Sequence, residues 1–144
     1  MTEAEIRQKI QYNQDLIDEY TAQIKEYEEQ IEELETLKKK YTKLQDQFEE
    51  KQAKRKSSLN SSSSKSVNNR IFSRYVSGMS SLLKGSSYTS ADSGLTKAKE
   101  KIKKKITTIS SKIDSLEDKV TYRKKRKKYW QQVLKQYLAS VEEE

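Results

Sequence analysis

Isoleucine recurs every seven residues at Ile10, Ile17, Ile24 and Ile31, and beside it runs a second seven-residue repeat of Ile6, Tyr20, Tyr27, Leu34, Tyr41 and Phe48. Two interleaved repeats of this kind place an apolar stripe along one side of an α-helix, and such a stripe is buried only against another helix. The pattern returns after a serine-rich interval. Ile102, Ile109, Leu116, Trp130 and Tyr137 form one repeat there, and Ile106, Ile113, Val120, Leu134 and Val141 form the other. Polar residues interrupt both stripes, at Asn13, Lys38, Gln45 and Gln52 in the first and at Arg123 and Lys127 in the second. The layout predicts an all-α chain: an elongated antiparallel helical hairpin, or coiled coil, with a short amphipathic helix in the connecting segment.

Composition supports a narrow seam over a thick core, because 32% of the 144 residues are apolar and 36% are charged. Proline is absent, which removes the usual helix breaker. Cysteine and histidine are also absent, so thiol chemistry, zinc sites of the His/Cys kind and imidazole-based triads are excluded. A carboxylate-only site would need acids on the seam, and the two heptad runs carry none there. No catalytic residue, metal site or cofactor is expected, and the chain does not read as an enzyme. The amino-terminal residues lack the basic and apolar regions of a secretory signal, and no apolar run approaches the roughly 20 residues of a membrane span. A cytoplasmic location follows as an expectation.

The whole chain, 1–144, reads as one helical domain. Its first long helix is expected over 3–54, with the Thr2 hydroxyl and the Glu5 carboxylate forming a capping box. Residues 57–66 are serine-rich and read as a flexible linker. Val67, Ile71, Tyr75, Met79, Leu82 and Leu83 return at three- and four-residue spacing, which predicts a short helix over 67–84. Gly85 then opens a turn over 85–92, and the second long helix follows over 93–142.

Charge is divided unevenly between the halves. Residues 1–50 hold 14 acidic and 7 basic residues, a net of −7, whereas residues 51–144 hold 8 acidic and 23 basic residues, a net of +15. Pairing the acidic block from Glu26 to Glu35 with the basic block at 123–128 puts residue i beside residue 155 − i. Ile17 and Ile24 then lie near Leu138 and Trp130, and the terminal glutamates lie near Arg7 and Lys9.

Residues 122–130, YRKKRKKYW, place six consecutive cations between aromatic residues. Phosphates and bases could use such a patch, but the opposed acidic block makes it an internal pairing face, and nucleic acid is not the expected partner. A basic coiled-coil nucleic-acid-associated protein and a structural coiled-coil spacer stand as the alternatives. Tyr20, Tyr27 and Tyr41 fill a two-stranded seam poorly compared with leucine. Leu16, Leu37 and Leu44 widen the apolar stripe on one flank. Together they suggest a seam able to accept another helix. The expected partner-binding seam comprises Ile10, Leu16, Ile17, Tyr20, Ile24, Tyr27, Ile31, Leu34, Leu37, Tyr41, Leu44, Phe48, Trp130, Leu134 and Tyr137.

The stretch 82–95, LLKGSSYTSADSGL, set between two coiled-coil helices, resembles the turn of the WXG-like helical-hairpin superfamily. More closely, the layout is similar to the small LXG-toxin-associated α-helical (Lap-type) accessory proteins of Gram-positive type VII secretion. Leu83 and Gly85 sit where that superfamily has Trp-x-Gly, and Tyr88 with Asp92 matches its Tyr-x-x-x-Asp/Glu export element. The resemblance implies a non-enzymatic targeting partner. It would bind the helical amino-terminal domain of a toxin, alongside a second small helical protein, and present it to the secretion machinery. Co-secretion without a cleaved signal peptide belongs to the same implication.

Overall fold

The computed structural model describes residues 1–65, 74, 77–78 and 86–143. Two long helices make up nearly all of them, α1 over Glu3–Lys65 and α2 over Ser86–Glu142. They pack antiparallel as an all-α helical hairpin, with no strand among the described residues.

The start of α1 follows from its first residues. The Glu5 amide donates to Thr2 Oγ1 at 3.3 Å while the Thr2 amide donates to Glu5 Oε2 at 3.1 Å, so two amides that the helix leaves unpaired are satisfied reciprocally. Glu3 and Glu5 also place negative charge at the positive end of the helix dipole.

The chain forms two compact units, one combining Met1–Glu33 with Lys105–Glu144 and the other spanning Leu34–Lys104. In the first, Ile6, Ile17, Ile109, Ile113 and Leu116 are buried, Ile6 to 1% exposure. Each contributes on the order of 1.5–3 kcal/mol by leaving water. Ile10, Leu16, Ile24, Ile31, Trp130, Leu134 and Tyr137 are half-buried, as the flanks of a seam between two helices must be. In the second unit Ile102 and Gln52 are buried, and Leu34, Tyr41, Phe48 and Leu95 are half-buried.

The register differs from the one that charge matching predicts. Lys119 Nζ lies 5.7 Å from the Tyr20 ring centre and Lys112 Nζ lies 5.8 Å from that of Tyr27, so residue i sits beside residue 139 − i in the first unit. The second unit, taken alone, follows the same rule to within a helical turn, since Gln45 meets Asp92 and Phe48 meets Tyr88. Ile17 and Ile24 therefore do not face Leu138 and Trp130. Nor do Glu142 and Glu143 lie beside Arg7 and Lys9; in the observed register the end of α2 passes beyond Met1, and Val141 is 51% exposed. The basic block at 123–128 lies beside residues 11–16 and not beside the acidic block.

Two boundaries also move. Residues 57–65, expected as a flexible linker, continue α1 to Lys65. No proline or glycine stands between Gln52 and Lys65. Serine costs a helix only about 0.5 kcal/mol per residue against alanine, and propagation from a formed helix needs no new nucleus. The expected turn over 85–92 is likewise helical from Ser86, so α2 begins seven residues before Ser93. Counted back from Ile102 and Ile106, the heptads land on Leu95 and Tyr88 and on Lys99 and Asp92. These residues extend the seam. Gly94 is carried within the helix at a cost of about 1 kcal/mol. The short helix over 67–84 and the residues Leu83 and Gly85 fall on positions outside the described residues, apart from the helical 74 and 77–78.

Candidate functional site

The polar interruptions of the two stripes meet one another. In the first unit Asn13 is 3% exposed, and its Nδ2 donates to the Lys9 carbonyl at 2.8 Å while Arg123 Nη1 approaches its Oδ1 at 3.5 Å. One turn further along α2, Lys127 Nζ donates to Gln14 Oε1 at 2.6 Å. The guanidinium of Arg123 is also flanked by rings, 5.6 Å from the centre of Tyr12 and 5.1 Å from that of Tyr122. Arg123 thus meets the break at Asn13, and Lys127 meets its neighbour Gln14.

A second polar layer sits within the second unit. Gln45 Nε2 donates to Asp92 Oδ1 at 2.7 Å and to Thr96 Oγ1 at 3.1 Å, and Gln45 Oε1 accepts from Lys99 Nζ at 3.1 Å. Both amide protons and the carbonyl of that side chain are engaged. Among the described residues no buried side-chain nitrogen or oxygen lacks a partner.

These layers explain the register. An exposed ion pair contributes about 0–1 kcal/mol, whereas stranding a buried donor or acceptor opposite an apolar side chain costs about 1–3 kcal/mol. For Asn13, which is buried, that cost exceeds the return from an exposed ion pair, and the same alignment also satisfies the half-buried Arg123, Gln45 and Asp92. Polar residues on a coiled-coil seam select register at some cost in stability.

The seam tyrosines are accommodated by the same arrangement. Lys119 and Lys112 lay their ammonium groups over Tyr20 and Tyr27, so each half-buried ring is covered from the opposite helix. In the first unit, then, Tyr20 and Tyr27 are each served by a lysine of α2.

Tyr88 and Asp92, read from the sequence as turn residues, lie on the inner face of α2 within the second unit. The Tyr88 ring stacks on Phe48 with centres 5.1 Å apart and planes 15° from parallel. Loss of water around the phenol, and then the carboxylates of Glu49 and Asp92, hold its pKa above the ordinary 10.0. A phenol whose folded pKa is raised favours the neutral form in the folded state. Its contribution to stability is present below the unfolded pKa near 10 and is lost as pH rises through the higher folded value. Tyr88→Phe keeps the stack and removes the ionisation, so the variant is expected to retain its melting temperature further into alkali than the parent; matched thermal melts across pH 9–12 or so, about the phenol range, check this.

The apolar flank behaves differently in the two units. Leu16 is half-buried in the first, whereas Leu37 and Leu44, seven residues apart, are 38% and 52% exposed in the second. Among the described residues no group of three or more His, Cys, Asp or Glu could hold a metal ion, and no helix is long and apolar enough to cross a membrane.

No family model, curated protein or solved structure matches this chain.

The positions that sequence reasoning missed are Gln14, Thr96 and Lys99, which complete the polar layers. Lys99 was accessible in principle, by extending the α2 heptad backward. Gln14 and Thr96 sit beside the seam, where periodicity carries no signal for them.

Proposed function

We propose that this chain is a non-enzymatic accessory partner of an LXG-type toxin, binding the helical amino-terminal domain of that toxin for type VII secretion. The observation that carries this reading is the pair Leu37 and Leu44. Heptad-spaced leucines exposed beside a seam whose polar layer is already satisfied offer an apolar strip to one further helix. Tyr41 and Leu34, half-buried seam residues, extend the same face inward. A partner helix laid there would bury leucine side chains worth roughly 1.5–3 kcal/mol each. Such helix-on-helix association needs no titratable or metal-binding group.

The proposal is tested by co-expression with the helical domain of an adjacent LXG toxin. A complex that survives size exclusion is expected, and Leu37→Asp/Leu44→Asp should abolish it while leaving the far-ultraviolet circular dichroism unchanged, because both residues are exposed. Recovery of the unmodified chain as a monodisperse monomer from that co-expression contradicts the reading.

A further inference from the structure

The corrected register leaves the basic block at 123–128 without the acidic partner that its charge suggests. Arg123 and Lys127 turn inward to Asn13 and Gln14. Lys124, Lys125 and Lys128 are exposed, and among the described residues no carboxylate pairs with any of them; the ion pairs Arg7–Glu3 and Lys54–Glu50 both lie within α1. Two aromatic rings stand on the outward side next to Lys125, with Lys128 and then Lys124 further round the helix. Tyr122 is 55% exposed and Tyr129 is 49% exposed. Their seven-residue spacing puts them on one helical face about 10 Å apart along the axis. Between them Arg126 lies 4.9 Å from the centre of Tyr129 and 5.8 Å from that of Trp130, and Tyr129 meets Trp130 edge to face at 5.2 Å. Tyr129 remains 49% exposed with these contacts in place.

We infer that this surface binds single-stranded nucleic acid, with Lys124, Lys125 and Lys128 taking backbone phosphates and Tyr122 and Tyr129 stacking on bases. Exposed cations at successive turns neutralise a polyanion and release its counterions. Exposed rings interleaved with them provide the stacking platforms that sequence-tolerant strand binding uses. A duplex keeps its bases stacked internally and gives the rings nothing to cover. A membrane surface calls for a continuous apolar face to insert, and the outward face here is lysine and tyrosine, the apolar residues of α2 being turned into the seam. An acidic peptide would use the lysines and leave both rings idle. The inference stands independently of the secretion proposal, which uses the opposite helix and the other unit.

The test is a titration of the full chain against fluorescein-labelled oligothymidylate, read by anisotropy and by the emission of Trp130, the single tryptophan. Binding at about 50 mM salt is expected, with a log–log salt slope of roughly −0.7 for each phosphate contacted. Lys124→Gln/Lys125→Gln/Lys128→Gln should make that slope shallower by about 2. Tyr122→Ala/Tyr129→Ala should weaken binding by at least about tenfold at an unchanged slope. Circular dichroism should be the same for all three proteins, since the altered residues are exposed. Absence of binding at that salt overturns the inference. So does equal affinity for a duplex, for heparin or for phosphatidylserine vesicles with no dependence on the two tyrosines, which would mark a general polyanion surface or a membrane surface.

Discussion

Ile113→Asp is expected to unfold the first unit. Ile113 is 8% exposed, on the α2 stripe among Ile109 and Leu116, and the substitution removes about 1.5–3 kcal/mol of apolar burial. It also places a carboxylate within a turn of Glu117 and opposite the glutamate-rich stretch of α1. Burying an unpaired charge adds several kcal/mol, so the total exceeds about 4 kcal/mol. Whole domains are held by only about 5–15 kcal/mol. Loss of roughly half the helical signal at room temperature, followed by circular dichroism, is the expected result. Ile113→Val, which keeps the stripe apolar, should cost no more than about 0.5–1.5 kcal/mol. A Val variant as damaged as the Asp variant would remove charge burial from the explanation.

Asn13→Leu/Arg123→Leu should move the protein in the opposite sense. Replacing both members of a polar pair, here the buried Asn13 and the half-buried Arg123, by apolar residues is nearly neutral or stabilising, because no polar group is left stranded. The melting temperature is therefore expected to rise. The same change deletes the feature that distinguishes one heptad alignment from the next, so alternative registers become nearly equal in energy. Broadened distances between labels on the two helices, or a shift to higher oligomers, should accompany the higher melting temperature. Arg123→Leu alone leaves Asn13 Oδ1 without its partner on α2 and should instead destabilise by about 1–3 kcal/mol. Opposite signs for the single and the double variant are the signature of a register layer.

The fold was legible because Ile10, Ile17, Ile24 and Ile31 and their α2 counterparts keep a strict period over many turns, and nothing in the chain breaks a helix between them. Pairing was harder to read. An apolar stripe fixes which faces meet, but it fits nearly as well after a slip of whole heptads, and the charge blocks point to the wrong alignment. What decides is the matching of Asn13 with Arg123, and of Gln45 with Asp92 and Lys99. Those interruptions look like weaknesses when each stripe is read by itself. They become specific only when the stripes are set side by side. Tyr88 and Asp92 were hidden for a related reason: the serines and glycines around them suggest a turn, while their heptad positions, two layers back from Ile102 and Ile106, place them on the seam. The basic run at 123–128 illustrates the cost of the wrong alignment: charge alone pairs all of it with α1, whereas in the observed register Arg123 and Lys127 bond Asn13 and Gln14.

The alignment itself can be measured directly in the first unit. The chain has no cysteine, so spin labels attach only where they are introduced. Glu19, Lys119 and Lys135 are exposed sites for them. With residue i beside 139 − i, labels on Glu19→Cys/Lys119→Cys face one another across the seam. Labels on Glu19→Cys/Lys135→Cys are separated along the axis by about 24 Å, the rise of the sixteen residues between the two α2 positions. Dipolar spectroscopy should give the shorter distance for the pair at 19 and 119. The shorter distance at 19 and 135 would contradict the polar-layer account and restore alignment by charge.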